Sequence, residues 1–222
     1  MSSTDWDLVW SSLWPIVRGG LTGTIPLALA SFGLGLVLAL VVALMRLSRV
    51  PLVSAVARGY VSVIRGTPLL VQLFVIFYGL PSVGVTLSPW PSAIIAFSLN
   101  VGGYAAEVIR AAILSVPAGQ WEAAHTIGMS RRQALRRIIL PQAARVSVPP
   151  LSNTFISLVK DTSLASLILV TELFRQAQEV ATFSGEFMVL YVEAAMVYWV
   201  ICLFLSGGQS TLERRLDRYV AH

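Results

Sequence analysis

LTGTIPLALASFGLGLVLALVVALM, residues 21–45, runs for twenty-five residues without a charged side chain. A hydrocarbon core of roughly 30 Å needs about 20 helical residues, so this stretch is long enough to span a bilayer. Gly35, Ala39 and Ala43 recur within it at four-residue spacing. They form either a seam for close helix approach or the ordinary abundance of small residues in membrane helices. The rest of the 222-residue chain has the same character. Residues AVILMFWYC make up 56% of it and DEKR only 12%, about half the charged fraction usual in soluble domains. Mean hydropathy is +0.76. A soluble domain of this size would need more polar side chains to cover its surface. Disorder is excluded by the same composition, with apolar residues dominant and a net charge of only +5. One cysteine, Cys202, excludes a disulfide scaffold and a multi-cysteine metal site.

Outward from residues 21–45, the next charge-free stretch is 66–106, too long at forty-one residues for one crossing. Pro81, Gly84, Ser88, Pro89 and Pro91 punctuate its middle. Two helices are therefore predicted, over 60–80 and 92–115. Residues 146–171 are apolar except for Lys160 and Asp161, and residues 187–212 except for Glu193. The expected fold is all-α, a polytopic membrane protein with about five transmembrane helices. Residues 1–17 are read as an extracytoplasmic N-terminal segment and 18–219 as the transmembrane domain. Asp5 and Asp7 stand where a cleaved leader would be positive, so the N-terminus is expected to be retained.

Fifteen of the sixteen basic residues are arginines, and their placement matters more than the isoelectric point of about 9.9. Arg46, Arg49 and Arg58 follow the first span. Arg131, Arg132, Arg136, Arg137 and Arg145 lie between the third and fourth, and Arg214, Arg215 and Arg218 follow the fifth. Alternation through five spans puts all three groups on one side, the cytoplasm by the positive-inside rule. The other side keeps Arg18 and Arg175. The predicted topology is N-terminus out and C-terminus in. A charge this thin is not the footprint of a nucleic-acid binder.

Residues 117–141 differ in kind. Pro117 suits a helix first turn and Gly128 the left-handed position after a helix end. Ser130 and Gln133 have the spacing of a capping box that opens a second helix. Leu135, Ile138 and Ile139 share a face, with Arg132, Arg136 and Arg137 largely on others. Pro141 is expected to stop that helix. The segment reads as a helix–Gly–helix element at a membrane surface.

Glu122-Ala123-Ala124, Gly128, Ile138, Leu140 and Pro141 form the pattern E-A-A-x3-G-x9-I-x-L-P. It resembles the EAA loop of ABC-importer permeases, with every hallmark position filled. Gly103-Tyr104-Ala105-Ala106-Glu107-Val108-Ile109-Arg110, Ser115-Val116-Pro117-Ala118-Gly119-Gln120, Leu140-Pro141-Gln142-Ala143 and Lys160-Asp161-Thr162-Ser163-Leu164 are similar to the polar amino-acid uptake branch. So is Arg65-Gly66-Thr67-Pro68-Leu69-Leu70, on the predicted second helix. Gly102 and Ala111 depart from the pattern, standing where alanine and glycine are expected. The resemblance implies a methionine-permease-like transmembrane domain acting as the permease subunit of a polar amino-acid importer. It implies a second permease copy or homologue, two cytoplasmic ATPase subunits and an extracytoplasmic solute-binding protein, in a bacterial inner membrane. This chain would then be no enzyme and hold no cofactor, with ATP and Mg in the partner ATPase. Glu122, Ala123, Ala124, Gly128, Leu140 and Pro141 would form the coupling site. Physically, two capped helices hinged at Gly128 make a compact knob. Its small alanines allow close docking, and Glu122 offers a carboxylate to a basic partner. Without the motif, the same segment would read as arginines resting on lipid phosphates.

Ionisable residues within spans are costly unless they pair or face a cavity. Glu107 and Arg110, three apart, suit an ion pair or a pathway role. Lys160 and Asp161 are neighbours that cannot face each other on a helix, so they need separate partners or an unwound backbone. Lys160, Asp161, Thr162 and Ser163 are path or gate candidates, as are Glu107 and Glu193, the last lining the path or meeting another chain. His125 and His222 have no companion ligands, and no G-x4-G-K-[ST] motif occurs. The other classes are an ion-gradient-driven secondary carrier or channel, disfavoured by the lack of an internal repeat, and a membrane-anchored enzyme, which lacks a site. Among polar amino acids the residues leave basic ones, glutamine, glutamate and cystine open, and with them the choice of homodimer or heterodimer.

Overall fold

A computed structural model describes residues 3–217, and no strand occurs among them. Arg218 and His222 lie outside the described residues. Helix α1 (Ser3–Gly19) passes through a π-helical turn (Gly20–Thr24) into α2 (Ile25–Arg46). Then come α3 (Pro51–Gly66), α4 (Leu69–Phe74), α5 (Pro89–Ser115), α6 (Ala118–Thr126), α7 (Arg131–Ala134), α8 (Leu140–Asp161), α9 (Leu173–Ser184) and α10 (Phe187–Asp217). By length and composition, three helical runs are able to cross a membrane: Trp6–Arg46, Pro89–Ser115 and Phe187–Arg215. Two further pairs qualify if each counts as one bent span. They are Pro51–Gly66 with Leu69–Val83, bent by 106°, and Arg131–Ile168 with Leu173–Ser184, bent by 48°.

The predicted helix over 60–80 is therefore broken. Thr67 is extended at φ −121° and ψ 145°, because the ring of Pro68 crowds the residue before it out of the helical region. Arg65-Gly66-Thr67-Pro68 is the corner between α3 and α4 rather than part of one helix. The first helical run begins well before residue 21, and at 41 residues it is twice as long as one crossing needs. The fourth predicted span also differs. Its helix starts before residue 146 and ends at Asp161, where a 3-10 turn (Thr162–Ile168) takes over.

Pro141 does not stop its helix. A π-helical turn at Leu135–Ile139 joins α7 to α8, so the backbone stays helical from Arg131 through Asp161. Gly20–Thr24 stands in the same relation to Pro26, and the π-helical turn Val75–Gly79 to Pro81. In each case the residue before the proline donates to the carbonyl five residues back: Ile25 to Gly20, Leu80 to Val75 and Leu140 to Leu135. A proline in an ordinary α-helix loses a hydrogen bond and drives its ring into the carbonyl four residues back. The wider π turn moves that carbonyl aside, so three prolines pass without ending the helical path.

Helix α5 is the hub, packed against α2, α3, α4 and α8. Its Ala93, Ala96, Phe97, Ala105 and Ala106 are fully buried. Lipid offers no hydrophobic drive between helices, so close backbone approach and interhelical hydrogen bonds hold them together. The Gly35–Ala39–Ala43 stripe is such a seam: a Cβ on Gly35 would stand 2.6 Å from Val101. Gly102 explains its departure from the family pattern, since a Cβ there would meet Leu38 Cδ2 and Tyr60 Oη, each at 2.7 Å. Tyr60 Oη donates to Leu99 O at 2.6 Å, tying α3 to α5.

Candidate translocation and coupling sites

The 117–141 segment forms the knob that its caps foreshadow. Gly128 has φ +77°. Its N–H donates to His125 O at 2.9 Å, and the Met129 N–H to Ala124 O at 3.0 Å, the paired bonds of a Schellman ending. Ser130 N donates to Gln133 Oε1 at 2.9 Å and Gln133 N to Ser130 Oγ at 3.3 Å, completing the capping box. Ala124 is buried, whereas Glu122, Ala123 and Gly128 are exposed together, with Ile127 73% exposed beside them. Leu135, Ile138 and Ile139 turn inward onto Ala112 and Ile113 of α5 and Val116 just beyond it, while Arg131, Arg132, Arg136 and Arg137 face outward. Leu140 packs in the same cluster and Pro141 is exposed. Gln142 Nε2 donates to Gln120 Oε1 at 3.3 Å and to Ile138 O at 3.1 Å, bracing α6 against α8. The knob thus has a fixed apolar base and an exposed tip of small, acidic and apolar side chains.

Asp161 faces a cavity of about 440 Å³ with a mixed lining, in which Thr67, Asn100, Tyr104, Asn153 and Thr154 stand beside the apolar Leu69, Val101 and Leu158. The corner between α3 and α4 shapes it. Gln72 Nε2 donates to Ile64 O (2.8 Å), Thr67 O (3.1 Å) and Thr67 Oγ1 (2.9 Å), satisfying carbonyls that the break frees. Gln72 Oε1 accepts from Asn100 Nδ2 at 3.1 Å. Lys160 turns the other way, into a separate cavity of about 560 Å³ with Ser163, Tyr198 and Trp199. The adjacent charges thus have separate surroundings, at the point where the helix gives way to the 3-10 turn. Thr162 is fully buried and donates to Val159 O at 2.7 Å, facing neither cavity, while Ser163 Oγ donates to Lys160 O at 2.8 Å.

Glu107 pairs with Arg110, whose Nη2 lies 3.2 Å from Oε2, but two further partners were not legible. Arg46, from the end of α2, binds Glu107 Oε1, and Arg65 Nη1 lies 3.9 Å from Oε2. Glu193 lies apart, on α10, where its Oε2 accepts from Ser12 at 2.7 Å and its buried Oε1 has no partner. Glu172, which the sequence did not single out, is fully buried at the start of α9. It accepts from Phe174 N (2.9 Å), Arg175 N (2.7 Å), Tyr198 Oη (2.7 Å) and Thr24 Oγ1 (3.3 Å). The available signal was position: Glu172 is the one ionisable residue between Asp161 and Arg175.

The family described as "Binding-protein-dependent transport system inner membrane component" matches residues 4–218. The chain is 63% identical to the L-cystine transport system permease protein TcyB of Bacillus subtilis, over 97% of this chain and 93% of that one. It is 35% identical to the glutamine transport system permease protein GlnP of Escherichia coli, over 96% and 97% of the two chains. A crystal structure of an amino acid ABC transporter with histidines superposes with a TM-score of 0.89 at 34% identity, covering 97% of this chain and all of that one. An inward-facing MetNI methionine ABC transporter shares the fold, with a TM-score of 0.70 at 18% identity over 97% and 99% of the chains. The match along almost the whole chain, and these identities at nearly full coverage, place it in one family: the chain belongs to the inner membrane components of binding-protein-dependent transport systems.

Proposed function

We propose that this chain is the permease subunit of an ATP-driven importer of polar amino acids, with L-cystine as its substrate. The observation that carries the pathway is the cavity at Asp161. There one carboxylate sits among neutral amides and hydroxyls in otherwise apolar helices, which suits the ammonium end of a zwitterion. Its volume of about 440 Å³ lies in the ordinary range for small-molecule sites. Cystine is favoured over other amino acids by the 63% identity to an L-cystine permease.

ATP hydrolysis belongs to partner subunits, which dock on the tip around Glu122, Ala123, Ala124 and Gly128. Leu140 and Pro141 belong to the base that carries it. The assembly uses a second permease chain, two ATPase subunits and a solute-binding protein. The knob end faces the cytoplasm, with the N-terminus outside. Arg49 and Arg131, from two of the three basic groups, line one cavity of about 700 Å³ beside the knob, which supports a common side.

Uptake of radiolabelled L-cystine by cells carrying the permease with its ATPase and binding protein tests the reading. Asp161→Ala is expected to cut uptake at least tenfold at matched permease level, with the complex assembled and its ATPase measurable. Wild-type uptake by that variant would remove Asp161 from the path.

A further inference from the structure

Glu107 is one carboxylate facing three guanidiniums, brought by three helices: Arg46 from α2, Arg65 from α3 and Arg110 from α5. The cluster keeps an excess of two positive charges, an arrangement that calls for an anion. The three arginines are not equally held. Arg46 and Arg110 make hydrogen bonds to Glu107 and their side chains are 18% and 29% exposed. Arg65 reaches Glu107 only at 3.9 Å and is 46% exposed. Its guanidinium instead lies over the Tyr104 ring, 5.4 Å from the centroid.

Tyr104 belongs to the wall of the Asp161 cavity, so Arg65 stands at that cavity's edge. Asn100, Tyr104 and Glu107 follow at spacings of four and three residues, which puts them on one face of α5. This face leads from Asn100 in the cavity wall, about 10 Å along the helix, to Glu107 in the cation cluster. Arg65 also directly precedes the Gly66-Thr67-Pro68 corner, whose Thr67 and Pro68 line the same cavity. Gly103 lets Ile64 lie against α5, since a Cβ there would stand 2.5 Å from Ile64 Cγ2. The residue before Arg65 is therefore held against α5, while the Arg65 side chain itself is 46% exposed.

We infer that Arg65 is the carboxylate-binding residue at the knob-side end of the translocation path, receiving the carboxylate of an amino acid whose ammonium group leaves Asp161. A guanidinium binds a carboxylate through two parallel hydrogen bonds, which the 3.9 Å pairing with Glu107 does not make. Glu107 competes for the same guanidinium, which keeps the contact weak enough to release the amino acid. The inference rests on the reading of the Asp161 cavity as the path.

The test measures equilibrium binding of L-cystine and of cystamine, the same disulfide-linked diamine without carboxylates. It uses the purified permease–ATPase complex without binding protein or ATP. Arg65→Gln is expected to weaken L-cystine binding about tenfold or more, the loss of one charge-assisted contact, and to leave cystamine within about twofold of wild type. Equal effects on both compounds, no effect on L-cystine, or a wild-type complex that binds neither, would overturn the inference. If Arg65→Gln fails to assemble, Arg65→Lys keeps the positive charge beside Glu107 but cannot make the two parallel hydrogen bonds. The same selective loss of L-cystine is expected there, and a non-selective loss or none would overturn it. Asp161→Asn, measured in parallel, is expected to weaken both compounds. If it does so while Arg65→Gln does nothing, the inference about Arg65 fails alone. If Asp161→Asn changes neither, the cavity reading fails and the inference falls with it.

Discussion

Four donors converge on the Glu172 carboxylate, two from the α9 backbone and one each from Tyr198 and Thr24, and the residue is fully buried. One side chain thereby caps α9 and ties it to α10 and to the π turn after α1. Removing it strands several buried donors, each costing about 1–3 kcal/mol. Glu172→Ala is therefore expected to lower the melting temperature of the purified complex markedly, with Glu172→Gln milder because it keeps an acceptor. Unchanged melting in both would mean that the donors find other partners. Only its isolation as the one ionisable residue between Asp161 and Arg175 marks Glu172 in the sequence, since glutamate is not a favoured cap and its partners lie up to 148 residues away. The Glu107–Arg110 pair was legible because three-residue spacing on a helix is local, whereas Arg46 and Arg65 meet Glu107 only through packing.

Helices here are shaped by where prolines and glycines fall. The knob could be read almost completely from sequence, because its Schellman ending and capping box depend on residues a few positions apart. Proline gave the misleading signal. Pro141 and Pro26 are accommodated by π turns, and Pro68 makes the corner, a distinction that depends on room to widen the helix and not on the proline itself. Glycine contacts can be tested in the same way. A Cβ on Gly23 would lie 2.5 Å from Thr171 O, whereas one on Gly59 meets nothing within 4 Å. Gly23→Ala is expected to destabilise the complex. Gly59→Ala, inside α3, is expected to be neutral or to stabilise by up to about 1 kcal/mol. Thermal unfolding of both variants checks the pair, and the opposite order would contradict the close packing of the π turn on α9. At the knob, Gly128→Asp is expected to abolish co-purification of the ATPase while the permease still inserts. It forces a side chain into a left-handed position costing roughly 1 kcal/mol and puts a charge on the exposed tip. Glu122→Ala is expected to be milder, and wild-type ATPase recovery with both variants would leave the knob as a membrane-surface element only.

At the scale of the whole molecule, charge-free length was enough to recover an all-α fold with three to five candidate membrane spans. Span ends were less legible, because hydropathy does not register a 106° corner or a helix prolonged beyond one bilayer thickness. The cavity sits where α3, α4, α5 and α8 meet, and the knob docks on the far end of the same α5. A single helix thus connects the base of the knob to the cavity wall. The claim that ATP drives import through this chain is tested most directly in proteoliposomes holding the permease, its ATPase and the binding protein. Radiolabelled L-cystine uptake is measured with ATP supplied to the ATPase side, and separately with only a proton or sodium gradient. Uptake that requires both ATP and the binding protein, and is absent with the gradient alone, is the expected result. Uptake driven by the gradient without ATP would contradict the account.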